Sequence, residues 1–204
     1  MTLVLLHTAA SHVPVFDALG EREHPGAVLR HLVRPGLLER ARAAGPEAVR
    51  AEVREVLAGV GGPVLVTCST IGGVAESLAA ELGHPVLRVD RAMAARAVET
   101  GPRIVVLAAL ESTLGPSVEL LGEEGAGDVR SLVVPGAWEL FEAGDEGGYL
   151  RAVAAAADGV TGADVIVLAQ ASMAGAVPLV RTRIPVLASP ALGLAAALAG
   201  GRTG

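Results

Sequence analysis

The sequence predicts an α/β protein made of two similar lobes, each a parallel sheet of about four strands flanked by helices. Two observations carry that prediction. Short unbroken apolar runs alternate with longer helix-compatible stretches along the chain, and the pattern of the first half recurs in the second. Continuous rather than alternating apolar strands suit a sheet covered on both faces. Strand–helix alternation in turn implies parallel pairing through right-handed crossovers.

The strands are expected, in order, at 3–6 (LVLL), 28–33 (VLRHLV), 64–67 (VLVT), 86–89 (VLRV), 104–108 (IVVLA), 129–134 (VRSLVV), 165–169 (VIVLA) and 186–188 (VLA). Most are separated by stretches rich in Ala, Leu, Glu and Arg, such as EAVRAEVREVLAG and GGVAESLAAELG, which read as helices. The repeat is visible when VLVTCSTIGGVAESLAAELGHPVLRVDRAMAARAV is set against VIVLAQASMAGAVPLVRTRIPVLASPALGLAAAL. Each reads strand, polar turn, Gly-containing helix start, Pro-Val-Leu strand, Ala-rich helix. The alignment pairs Cys68 with Ala171 and Ser69 with Ser172. A weaker match sets LVLLHTAASHVPVF against IVVLAALESTLGPSV. The lobes are therefore drawn as 1–100 and 101–204, with the C-terminal helix a candidate to pack back on the first. Ligands of open parallel sheets bind beyond the carboxyl ends of the strands. The turns 7–12, 67–73, 111–115 and 170–175 are thus expected around one inter-lobe cleft.

Composition narrows the function classes. Aromatic residues make up only 2%, so the core must be built from Ala, Val and Leu. A net charge of −6 excludes a nucleic-acid backbone as the expected partner, because phosphate binding needs clustered positive charge. The single cysteine cannot form an internal disulfide, which points to a reducing compartment and a cytoplasmic protein. The start, MTLVLLHTAASH, shows no basic leader or cleavage site. Residues 184–201 carry no charge and reach the length of a spanning helix. Pro185 and Pro190 interrupt that run, however, and a buried strand followed by a buried helix is expected instead of a membrane segment. Assembly as a homodimer is left open.

Cys68 is the foremost candidate for chemistry. At the junction of a strand and a helix, it meets backbone N–H groups and the positive end of the helix dipole, which favour a thiolate. Ser69, Thr70, Ser112, Thr113 and Ser172 follow strands in the same way, either as N-caps or as ligands of a carboxylate. His7 and His12 flank the first strand end and are candidate proton partners for Cys68. His24, His31 and His84 are expected to be structural or exposed, and Asp90, Glu111 and Glu139 are minor candidates. No metal-ligand spacing, GxxxxGK[ST], GxGxxG after a strand or GxSxG is present, so metal, nucleotide and serine-hydrolase readings lose their support.

VLVTCST and VIVLAQASMAG at equivalent places, LAALESTLGPSVELL between them and HPVLRVDRAMAARAV after the first together resemble the aspartate/glutamate/hydantoin racemase superfamily. The resemblance implies two pseudo-symmetric Rossmann-like lobes and cofactor-independent proton transfer at the carbon α to a carboxylate. It assigns Cys68 as the thiol acid/base and places His7, Thr8, Ser69, Thr70, Ser112, Thr113, Ala171 and Ser172 around a small carboxylate. Family racemases use two thiols, one per lobe. This chain has Ala171 in the second place, so the two-thiol mechanism does not carry over. One-thiol decarboxylases of the family keep the second-lobe cysteine, whereas here the first remains. The residue after the first thiol, often Asn in amino-acid racemases, is Ser69. Three readings follow: a one-thiol isomerase or lyase, a carboxylate-binding module without catalysis, and a cysteine hydrolase or transferase.

Overall fold

The computed structural model describes residues 2–200. The first run of elements is β1 (Thr2–His7), α1 (His12–Glu23), β2 (Val28–Val33), α2 (Pro35–Ala44), α3 (Arg50–Ala58), β3 (Val64–Val66), α4 (Ser69–Ser77), α5 (Ala79–Leu82) and β4 (Val86–Arg88). Next come α6 (Arg91–Thr100), β5 (Arg103–Ala108), α7 (Leu114–Glu123), β6 (Asp128–Val133), α8 (Ala137–Glu142), α9 (Glu146–Asp158), β7 (Val165–Leu168), β8 (Val186–Ala188) and α10 (Ser189–Gly200). The strands are those expected, with ends moved by no more than a residue.

They form two four-stranded parallel sheets with matching orders, β2-β1-β3-β4 and β6-β5-β7-β8. The central strands are apolar except at the ends of β1 and β5, because both their faces are covered. In β1, Leu3 and Leu5 pack with Phe16, Leu65, Leu194 and Ala197 on one side. On the other, Val4 and Leu6 pack with Leu37, Val53, Leu57 and Ile71. Leu3, Leu5, Leu6 and Leu65 are fully buried, each contributing about 1.5–3 kcal/mol on removal from water. In the second sheet Val105, Leu107, Ile166 and Leu168 pack with Tyr149, Val153 and Met173. The outer strand β6 keeps Leu132 and Val133 exposed.

Packing divides the chain into two compact units, one running up to Val89 and resumed from Pro190, the other Asp90–Ser189. Helix α6 thus belongs with the second sheet, where it contacts β7 and α7. Helix α10 belongs with the first, where Leu194, Ala197 and Leu198 join the β1–β3 core. Gly193 makes the α10 contact feasible: a Cβ there would lie 2.3 Å from the Val89 carbonyl oxygen. The uncharged run at 184–201 is accordingly divided between β8 and α10, with Pro190 tolerated in the first turn. No helix among the described residues is long and apolar enough to cross a membrane.

One expected element differs. The segment after β7 should mirror the α4 helix, yet Ala171–Leu179 is a 3-10 helix. Pro178 inside it has no N–H to give, and its ring crowds the preceding turn, so an α-helical ladder cannot run through. Similarly, a short 3-10 turn, Glu111–Thr113, intervenes between β5 and α7. Only the first unit sets a thiol directly against an α-helix start.

Candidate functional site

Helix α4 begins where β3 ends. Cys68, at φ −109° and ψ 114°, is the last extended residue and the N-cap, and Ser69 is the first helical one. Cys68 is 7% exposed and packs with Val64, Val66 and Ile71. Ser69 and Thr70 are buried in the first helical turn. The two glycines that follow leave room for Arg88 of β4: a Cβ on Gly72 would lie 3.0 Å from the Arg88 Cβ. Thr8 is buried just beyond β1, and continuing the β1–β3 register by two residues sets it level with Cys68. None of the N-caps Ser11, Cys68 and Thr113 satisfies a helix N–H through its side chain, whereas Asp145 does so for Gly148 at 2.8 Å. The hydroxyls of Thr8 and Thr70 make no hydrogen bond among the described residues, although each residue is more than nine-tenths buried.

The histidines occupy the opposite side of the same sheet end. His7 is fully buried, beside Phe16. Its Nδ1 lies 2.7 Å from Thr67 Oγ1 and its Nε2 lies 2.8 Å from His31 Nδ1. His31 Nε2 in turn meets Asp17 Oδ1 at 3.0 Å. Thr67 Oγ1 also lies 3.2 Å from the Leu6 carbonyl and 3.5 Å from His12 Nδ1. Burial, followed by the neighbouring His12 and His31, lowers the His7 pKa to about 3. Burial lowers that of His12 to about 4. No hydrogen bond joins His7 to Cys68, because alternate residues of a strand face opposite sides: Cys68 follows Val64 and Val66, while Thr67 follows Leu65.

In the second unit, Ala171 is buried where the repeat places Cys68. Ser172 Oγ shares a 2.8 Å hydrogen bond with the hydroxyl of Tyr149, a buried residue of α9. Burial pushes the Tyr149 phenol up to about 12, against the pull of the Ser172 hydrogen bond. Gln170, aligned with Thr67, accepts from the backbone N–H of Ala109 at 2.5 Å and of Leu110 at 3.3 Å. In both units, then, the residue before the thiol position ties the two central strand ends together. Ser112 and Glu111 are exposed, whereas Thr113 is buried. Glu139 is also exposed, and Asp90 is a buried N-cap of α6. His84 Nε2 donates to the Leu57 carbonyl at 3.3 Å. Sequence reasoning passed over Thr67, Asp17, Gln170 and Tyr149 and set His31 aside. Of these, only the repeat-equivalence of Thr67 and Gln170 was a signal within its reach.

Taken together, the two matched parallel sheets give this chain the two-lobed α/β racemase fold. Among solved structures, an allantoin racemase from Pseudomonas fluorescens superposes with a TM-score of 0.72 at 22% identity, covering 100% of this chain and 92% of that one. A glutamate racemase from Aquifex pyrophilus gives 0.64 at 18% identity, covering 96% and 82% respectively. An arylmalonate decarboxylase gives 0.62 at 20% identity, covering 98% and 92%. No protein-family model and no curated protein sequence matches the chain.

Proposed function

We propose that the protein is a cofactor-independent enzyme of proton transfer at the carbon α to a carboxylate, with Cys68 as its single thiol. The observation that carries this reading is the junction of β3 and α4. There a buried thiol, a helix start and the unpartnered hydroxyls of Thr8 and Thr70 converge. Two structures of similar fold act on small carboxylates by name, glutamate and arylmalonate, which supports the substrate class. The first N–H groups of α4 and the Thr8 and Thr70 hydroxyls would bind the carboxylate and stabilise the enolate as charge moves onto its oxygens. The Cys68 sulfur takes the α proton in one direction and returns it in the other. Cys68 is the one thiol of the chain, so its step works on one face of the carbon. Racemisation, isomerisation and decarboxylation all pass through such an enolate.

The test is a screen of small carboxylic acids in heavy water, reading deuterium at the α carbon. Wild-type protein should exchange at least one acid, and Cys68→Ala should lower that rate by about 10²-fold or more. Undiminished exchange in Cys68→Ala sinks the assignment. Saturable binding with no exchange by the wild type would make the protein a carboxylate-binding module instead.

A further inference from the structure

Five polar side chains meet on the α1 side of the first sheet, and each leaves its neighbour one hydrogen-bonding choice. Asp17 ends the series as a carboxylate, which only accepts, so His31 Nε2, 3.0 Å away, carries a hydrogen. In a neutral ring the His31 Nδ1 then accepts, and its partner at 2.8 Å, His7 Nε2, must donate. His7 Nδ1 is left as the acceptor facing Thr67 Oγ1 at 2.7 Å and takes the hydroxyl hydrogen. The Leu6 carbonyl, at 3.2 Å, is the longer alternative. Thr67 has then only lone pairs to offer His12 Nδ1 at 3.5 Å, so that nitrogen carries the hydrogen of its ring and Nε2 does not. His12 Nε2 has no hydrogen-bond partner among the described residues, and His12 is the one histidine of the series at the helix start next to the turn bearing Thr8.

We propose that Asp17, His31, His7 and Thr67 form a directional relay that fixes His12 as the Nδ1–H tautomer and leaves its Nε2 as a proton acceptor beside that turn. Burial keeps His7 and His12 uncharged near neutral pH, as the relay requires. The use of the relay rests on the proton-transfer reading above. His12 Nε2 would remove a proton from the carbon α to the carboxylate: the C–H electron pair stays on carbon as the enolate, and the proton forms the Nε2–H bond of an imidazolium. The imidazolium returns the proton to the product or releases it to water. The site thereby gains a second proton carrier that is not a thiol. Asp17, His31, His7 and Thr67 are positioning residues, and their effect is read first in the tautomer of His12.

NMR of protein with nitrogen-labelled histidines, near neutral pH, tests this independently of turnover. In the wild type, His12 Nδ1 should resonate as a protonated nitrogen and Nε2 as a bare one. Thr67→Val keeps the side-chain shape but removes the hydroxyl, and His12 should revert to the Nε2–H form that a free histidine side chain prefers. Thr67→Ser should restore the Nδ1–H form. An Nε2–H tautomer in the wild type, or an Nδ1–H tautomer that persists in Thr67→Val, overturns the relay. In the deuterium assay, His12→Gln should lower exchange by about 10²-fold. Exchange that needs Cys68 but not His12 overturns the role of His12 and leaves the proton-transfer reading standing. The expected tautomers in a protein that exchanges no acid support the relay and count against that reading.

Discussion

Acidification from about pH 7.5 to about pH 5 should destabilise the protein by about 3 kcal/mol, through the two histidines at the end of the first sheet. His7 is fully buried with a pKa held near 3 by burial and by His12 and His31, and His12 is held near 4 by burial. An unfolded chain restores both to about 6.5. Above that value the two states bind the same protons, and nothing is gained or lost. Below it the unfolded chain takes up protons that the folded rings refuse, so stability falls as the pH drops toward the folded values. At about pH 5 the unfolded His7 is some 1.5 pH units below its pKa, worth about 2 kcal/mol at about 1.4 kcal/mol per unit. His12 keeps part of its surface in water, and counting it at about half adds about 1 kcal/mol. The loss is a sizeable part of the roughly 5–15 kcal/mol of a typical domain. Asp164 does not enter this window, because its carboxyl, hydrogen-bonded and ion-paired with Arg103, titrates near 2. Urea unfolding at the two pH values, on wild type and His7→Asn, measures the effect. The variant is less stable throughout but should lose about 2 kcal/mol less on acidification. Equal losses in both proteins would refute the argument that His7 is buried uncharged.

Three further outcomes are expected. Gly193→Ala forces a methyl group against the Val89 carbonyl and should cost about 1–3 kcal/mol in denaturant unfolding, with no change in the second unit's core. Tyr149 is the sole tyrosine, so phenolate absorbance should rise near pH 12 in the folded protein and near 10 once it is unfolded, stability being lost as the pH climbs past the unfolded value. Tyr149→Phe removes the phenol hydrogen-bonded to the Ser172 hydroxyl and should cost about 1 kcal/mol in denaturant unfolding. An unchanged unfolding midpoint in that variant would refute a stabilising role for the bond.

The strands were legible because burial on both faces writes itself as unbroken apolar runs, as in LVLL and VIVL. The paired orders of the two sheets were legible through the repeat. The 3-10 segment after β7 was less so, since ASMAG matches the helix start CSTIG and the residue that breaks the ladder, Pro178, lies beyond that match. The Cys68 junction could be read locally: a strand, a thiol, two hydroxyls and two glycines. The histidine relay could not, because His31 reaches His7 only through the β1–β2 register, which pairs Leu5 with His31 and His7 with Val33. Likewise, the Tyr149–Ser172 hydrogen bond depends on how α9 lies over the second sheet, and nothing in the spacing of those two residues announces it.

The placement of α6 and α10 bears on the order in which the molecule can be made. The first sheet is synthesised early, but the apolar side of Leu3, Leu5 and Leu65 is completed by Leu194, Ala197 and Leu198, which are made only after the whole second unit. The second sheet has no such wait, because α6 emerges before the strand it covers. During translation the N-terminal unit must stand with part of its core uncovered while Asp90–Ser189 is finished. Exposed apolar surface of that kind is what draws chaperones and drives aggregation. Emergence of α10, rather than completion of the N-terminal half, is therefore the event that closes the first unit.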